Sequence, residues 1–189
     1  MTPTLSAALL GQETLAKRVL MVLGGSLLIA LAARVSVPMY PVPMTLQTLA
    51  VLVVGLTYGA RMGAATLLAY LAEGAMGLPV FAGGHAGIAY MFGPTGGFLL
   101  GFVLMAWLAG LASDRGLTRG FVGACLTALA VSALLYLPGL AWPAAVMGKT
   151  VPELLSGWML PFLVGDAVKA VLAALIVTGG WAALRARKG

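Results

Sequence analysis

Long apolar stretches, interrupted at only a few places, dominate the pattern of the chain. No Asp, Glu, Lys or Arg occurs in 35–60, 74–113 or 120–148. A helix needs ~20 apolar residues to cross about 30 Å of hydrocarbon, so 74–113 is too long for one span. Its middle, 79–87 (PVFAGGHAG), is rich in helix breakers, and three prolines lie near the start of 35–60, at 38, 41 and 43. The pattern therefore predicts helices separated by loops at both places.

Cutting the chain at these breakers predicts an all-α membrane protein, a bundle of six transmembrane helices forming a single domain, 1–189. The predicted helices are 17–37, 44–60, 62–78, 96–113, 120–137 and 160–184. Inside a bilayer the backbone polar groups must be satisfied within each span, which favours helices. The remaining connection, 138–159, contains three prolines and is long enough to hold a short interfacial helix.

The composition supports a membrane protein and its charges orient it. Hydrophobic residues make up 61% of the chain and charged residues only 8%, whereas soluble domains carry about 25% charged residues. The outward side holds only Arg34 and Lys149 among its loops. The side of the termini holds eight basic residues: Lys17, Arg18, Arg61, Arg115, Arg119, Arg185, Arg187 and Lys188. Because basic residues collect on the cytoplasmic side, both termini are predicted to be cytoplasmic. Their scatter over four short segments argues against nucleic acid as a partner.

Small residues recur four positions apart on several predicted helices. Examples are 55, 59 and 63 (all Gly), 106 and 110 (Ala and Gly), and 26 and 30 (Ser and Ala). Such faces let membrane helices approach closely. They fit either packing inside the bundle or docking of a partner protein, and internal packing is the commoner use.

A few polar side chains lie within the predicted spans. Counted at 1.5 Å per residue from the cytoplasmic ends, Gln47, Glu73, Asp166 and Lys169 fall in the outer half of the bilayer. Asp166 and Lys169 are three positions apart and so share a helix face. They form either a structural ion pair or a site for a small polar ligand group. Glu73 either pairs with Arg34 or lines that site.

The aromatic residues near this outer region suit two roles. Tyr90, Phe81, Phe92, Trp142 and Trp158 could cover the apolar part of a ligand or form the interfacial aromatic belt.

The sequence lacks the motifs of the common enzyme classes. It has no Walker A motif, no Gly-x-Ser-x-Gly, and only one His and one Cys, so P-loop nucleotide binding, serine hydrolysis and an ordinary zinc site are not expected. We expect no enzyme activity and no cofactor.

Four segments give the chain a family resemblance. They are 44–48 (MTLQT), 77–84 (GLPVFAGG), 92–98 (FGPTGGF) and 163–170 (LVGDAVKA). In this order and spacing the chain resembles the BioY family, the biotin-binding S components of energy-coupling factor (ECF) transporters. The resemblance implies a multi-pass protein of the bacterial cytoplasmic (inner) membrane that binds biotin from outside. It also implies partners: a transmembrane coupling (T) protein and two ABC-type ATPases, which alone use ATP.

The resemblance also assigns roles to individual residues. Asp166 is expected to meet the ureido end of biotin, and the partner of Lys169 stays open. The loop after Phe81 is expected to contact biotin through its backbone at Gly83 and Gly84, because the Asn of some members is missing here. Gln47, Tyr90 and Glu73 are further candidates. The alternatives are a self-sufficient biotin facilitator and a membrane enzyme.

Overall fold

Helices make up most of the computed structural model, which describes residues 4–10 and 14–187. The α-helices are α1 (Leu5–Leu10), α2 (Leu15–Arg34), α3 (Gln47–Tyr58), α4 (Ala60–Ala75), α5 (Ile88–Met91), α6 (Gly96–Asp114), α7 (Phe121–Met147), α8 (Val151–Leu154) and α9 (Leu163–Ala186). A 3₁₀ turn (Ala82–Gly84) precedes α5, and a π-helical turn (Leu155–Met159) follows α8. Two antiparallel strands, β1 (Ser36–Val37) and β2 (Met44–Thr45), close a hairpin between α2 and α3. This strand pair is the one departure from the all-α prediction among the described residues.

Four of the described helices, α2, α6, α7 and α9, are long and apolar enough to cross a membrane. The other two longer helices, α3 and α4, have 12 and 16 residues, fewer than the ~20 of an ordinary span. The mostly helical membrane fold agrees with the prediction, whereas the number of six spans and the cytoplasmic side of the termini remain predictions.

Helix α6 lies at the centre of the bundle, packed against α3, α4 and α7, while α9 packs against α7 and α3. Small residues make this packing possible. A Cβ atom at Gly55 would lie 2.7 Å from the carbonyl oxygen of Ala106, and Gly110 lies against the backbone of Ala60. The prediction that these small-residue faces pack inside the bundle is therefore confirmed.

The face of Ser26 and Ala30 also points inward. Ser26 is buried and donates a hydrogen bond of 2.8 Å to Oε1 of Glu73 on α4, and Ala30 packs against the core. Ser26 is therefore used in the contact between α2 and α4, while docking of a partner at the partly buried Ala30 stays a prediction.

The largest difference from the predicted helix bounds is in α7. The predicted helix ends at 137, but α7 continues through Pro138 and Pro143 to Met147. Each proline removes one backbone donor, which neighbouring helices in a membrane can tolerate. The helix ends at Met147 and is capped by Gly148, whose φ of 63° is left-handed. The first ten residues of the predicted connection 138–159 thus belong to α7, and the rest holds α8 and the π-helical turn.

Candidate functional site

A partly enclosed cavity lies between the β1–β2 hairpin, α3, α6, α7 and α9. Most of its wall is apolar, and the polar groups come from a few side chains. Its lining comprises Val42, Pro43, Met44, Thr45, Gln47, Thr48, Ala82, Tyr90, Thr95, Phe98, Leu99, Phe102, Leu135, Tyr136, Phe162, Asp166 and Lys169. An apolar cavity with a few convergent polar groups is typical of a small-molecule site.

Asp166 and Lys169 form the predicted ion pair in the wall of this cavity. They lie near the start of α9, 9% and 6% exposed, with Nζ of Lys169 3.0 Å from Oδ1 of Asp166. The ammonium also donates to Oγ1 of Thr48 on α3, at 3.0 Å. The Thr48 hydroxyl in turn donates to Oδ1 of Asp166 over 3.4 Å. The two charges are therefore paired and anchored to a second helix, as buried ions must be.

Tyr136 on α7 holds the other oxygen of this carboxylate. Its hydroxyl donates a hydrogen bond of 2.6 Å to Oδ2 of Asp166, a short, charge-assisted bond. Both oxygens of Asp166 thus have protein donors, and the network joins α3, α7 and α9.

Gln47 lines the same cavity, 4% exposed, and its amide is oriented from both sides. Nε2 donates to the hydroxyl of Tyr70 at 2.7 Å, and that hydroxyl donates to the carbonyl of Val80 at 3.0 Å. Oε1 accepts from the hydroxyl of Thr45 at 2.9 Å. This chain of bonds links α3 and α4 to the loop that leads into the 3₁₀ turn.

Tyr90 lines the cavity from α5, and its ring stacks with two others. Phe81 stacks on it at 5.4 Å and His85 at 4.9 Å, both with planes 15° apart. Burial raises the pKa of Tyr90 above its ordinary value, so the side chain is a neutral phenol at physiological pH.

The predicted glycines of the 3₁₀ turn lie beside the cavity. Ala82 is the residue of this turn that lines the cavity, while Gly83 and Gly84 lie outside the lining. Their φ angles are 67° and 80°. Arg34 packs over Gly84 and donates to the carbonyl of Pro79 at 2.7 Å, so it holds the turn from outside.

Glu73 also lies outside the cavity lining. Its carboxylate accepts from Ser26 across the α2–α4 contact. The predicted pairing with Arg34 is not formed, because the Arg34 guanidinium donates to Pro79 instead.

The apolar walls differ from the predicted set, of which Tyr90 alone lines the cavity. The indoles of Trp142 and Trp158 donate to the carbonyls of Gly93 and Pro94, so they support the loop before α6. Phe92 is 62% exposed. Besides Tyr90, the aromatic residues that line the cavity are Phe98, Phe102, Tyr136 and Phe162.

Sequence reasoning missed several lining residues with polar groups: Thr45, Thr48, Thr95 and Tyr136. Thr45 and Thr48 lie within the same five-residue segment as Gln47, so the segment itself was a usable signal. No sequence signal pointed to Tyr136, since a single hydroxyl in a long apolar helix does not reveal which way it faces.

Comparison with known proteins identifies the family of this chain. The family model described as the BioY family matches residues 3–186. The chain is 40% identical over 149 residues to the probable biotin transporter BioY of Pyrococcus horikoshii, covering 79% of this chain and 86% of that protein. It is 37% identical over 152 residues to the biotin transporter BioY of Rhizobium etli, covering 75% and 79%.

A solved structure has the same fold. It is a crystal structure of the S component for biotin from an ECF-type ABC transporter, with a TM-score of 0.76 and 25% sequence identity. The match covers 94% of this chain and 96% of that one. By family model, by related sequences and by fold, the chain belongs to the BioY family.

Proposed function

We propose that this chain is the biotin-binding membrane subunit, the S component, of an ECF-type uptake transporter in the cytoplasmic membrane. The observation that carries the proposal is the buried ion pair of Asp166 and Lys169 in the wall of an otherwise apolar cavity. An ionised pair inside a membrane bundle is costly to bury and is a functional-site hypothesis by default. The relatives are biotin transporters by name, which indicates the ligand.

The unused hydrogen-bonding capacity of the pair fits one end of biotin. Lys169 has three N–H donors, of which Thr48 and Asp166 take two. The carboxylate of Asp166 offers about four acceptor positions and receives three donors. The remainder is one donor beside one acceptor, which matches the C=O and N–H edge of a ureido ring. We therefore assign the ureido group to this pair.

The rest of the ligand would lie along the apolar wall. Phe98, Phe102 and Leu135 offer a surface for its ring and alkyl chain. Gln47 and Tyr90 are proposed as further polar contacts because they line the cavity. Glu73, Gly83 and Gly84 are proposed to act from outside the lining, by supporting the neighbouring helix and turn.

Uptake driven by ATP would come from partners. The chain has no Walker A motif, and we propose that a T protein and two ABC-type ATPases supply the energy while this chain needs no cofactor. The proposed topology has six passes with cytoplasmic termini, supported by the excess of basic residues on that side.

Calorimetric titration of the purified protein with biotin tests the binding proposal. Wild-type protein should bind one biotin, and Asp166→Asn should weaken binding by about tenfold or more, since a charge-assisted acceptor is lost. The matched control is Val168→Ala, on the same helix but 54% exposed, which should bind as wild type. Failure of well-folded wild-type protein to bind biotin would overturn the proposal.

Uptake of labelled biotin tests the partners. Cells that express this chain with a T protein and the ATPases should accumulate biotin, and cells that express the chain alone should not. Equal uptake by the chain alone would favour the self-sufficient facilitator.

A further inference from the structure

Tyr136 lies in the wall that separates a cavity from a groove on the molecule. On one side is the cavity described above, and on the other is a groove between α7 and α9. Tyr136 and Asp166 line both. The groove is otherwise lined by Leu129, Ser132, Ala133, Met159, Leu163 and Ala167. The tyrosine ring and the carboxylate therefore separate the ligand cavity from the outer face of the bundle.

Packing fixes the ring of Tyr136. The residue is 6% exposed, and Phe98 meets its ring edge-on at a centroid distance of 6.1 Å and an interplanar angle of 87°. Val42, Trp158 and Phe162 belong to the same buried cluster. A ring held on several sides carries its hydroxyl in one direction, and that direction is toward Oδ2 of Asp166.

The single hydroxyl proton of Tyr136 is committed to this bond. A phenol has one donor hydrogen, and at 2.6 Å it is engaged by Oδ2. Lys169 and Thr48 meet the other oxygen, Oδ1. Donors on both oxygens fix the plane of the carboxylate. Without Tyr136, Oδ2 would be a buried anionic oxygen without its donor, and the carboxylate would be free to turn.

We propose that Tyr136 is a positioning residue of the ligand site, acting through Asp166. It fixes the carboxylate so that its remaining acceptor position points at the ligand N–H, and it keeps the carboxylate from turning toward the groove. The inference rests on the proposed function, because it is the ligand affinity that this positioning raises. Pre-organised polar groups bind more tightly since they lose less freedom on binding.

The first test is biotin titration of Tyr136→Phe, which removes one oxygen and keeps the ring partition. We expect the dissociation constant to rise by about tenfold or more, the scale of a hydrogen bond to a charged group. Ser132→Ala is the matched control. Ser132 lies one turn earlier on α7 and lines the groove but not the cavity. Its hydroxyl has no hydrogen-bond partner among the described residues, so the control should bind as wild type.

A double-mutant cycle with Asp166→Asn separates positioning from a general structural role. If Tyr136 acts through Asp166, Tyr136→Phe should cost less than about threefold in the Asp166→Asn background, because coupled residues are not additive. The same large loss in both backgrounds would overturn the proposal. Wild-type protein that binds biotin, with Tyr136→Phe binding equally well, would overturn this inference alone and leave the proposed function standing.

A second variant keeps the test decisive if Tyr136→Phe does not fold. Replacement of Tyr136 by 4-aminophenylalanine keeps the ring and returns an N–H donor toward Asp166. This variant should bind biotin within about tenfold of wild type. A folded 4-aminophenylalanine protein that loses more affinity than that would contradict the positioning role.

Discussion

Burial of the Lys169 ammonium without a partner would be energetically costly, and neighbouring side chains supply hydrogen-bond acceptors for it. Its ammonium contacts Asp166 and Thr48, each at 3.0 Å, and so exchanges water for protein acceptors. Removal of one partner from such a pair leaves the other charge buried and alone. The two residues therefore depend on each other for folding as well as for any ligand.

Lys169→Ala should weaken biotin binding by ~1.5–3 kcal/mol, the value of a hydrogen bond to a charged group. It should also lower the melting temperature of the ligand-free protein, since Asp166 loses its counter-ion. Val168→Ala is the control for both measurements, because the neighbouring side chain faces outward. Unchanged affinity in a folded Lys169→Ala protein would make the pair purely structural.

The 3₁₀ turn beside the cavity depends on the backbone conformation of Gly84. Its φ of 80° is left-handed, and a Cβ there would lie 2.5 Å from Nη1 of Arg34. Gly84→Ala should therefore displace the Arg34 guanidinium, break its hydrogen bond to the Pro79 carbonyl beside the turn, and weaken biotin binding. Gly77→Ala has a similar backbone cost, with φ of 100°, but its Cβ meets nothing within 4 Å. Each should lose ~1–2 kcal/mol of stability, and loss of affinity in Gly84→Ala alone would identify the turn.

The site shows which residues a sequence can reveal. The i, i+3 spacing of Asp166 and Lys169 was enough to predict their contact, because helix geometry fixes it. The role of Tyr136 depends on how α7 is rotated against α9. Helix α7 is apolar on every side, so no amphipathic stripe indicates that rotation.

At the scale of the elements, helix α6 is where close packing matters most. Small residues on α3 and α4 let their backbones approach it, as Gly55 does at Ala106. The four-residue spacing of small residues was enough to predict this close packing. The sequence did not predict that α7 continues through Pro138 and Pro143. A proline ends a helix in water more readily than in a membrane bundle, where neighbouring groups can satisfy the freed backbone carbonyls.

Gly55→Val tests this close contact. The added Cβ would lie 2.7 Å from the Ala106 carbonyl oxygen, so α3 and α6 must separate. Overpacking of this kind costs ~1–3 kcal/mol, and the melting temperature in detergent should fall. Gly24→Val on α2 is the control, since a Cβ there meets nothing within 4 Å. An equal effect of both variants would mean that helix propensity, not the α3–α6 contact, is responsible.

The proposed orientation of the whole molecule in the membrane can be tested at its loops. With eight basic residues on one side and two on the other, the loop between α6 and α7 should be cytoplasmic and the segment around α8 external. In a background with Cys125 replaced by Ser, Val151→Cys should react with a membrane-impermeant maleimide added to intact cells. Leu117→Cys should react only after permeabilisation; both positions are exposed.

A reporter fused after Lys188, which lies outside the described residues, should read as cytoplasmic. Reversal of the two labelling patterns would invert the orientation and place the Asp166–Lys169 pair nearer the cytoplasm, where capture of biotin from outside would no longer be possible by this geometry.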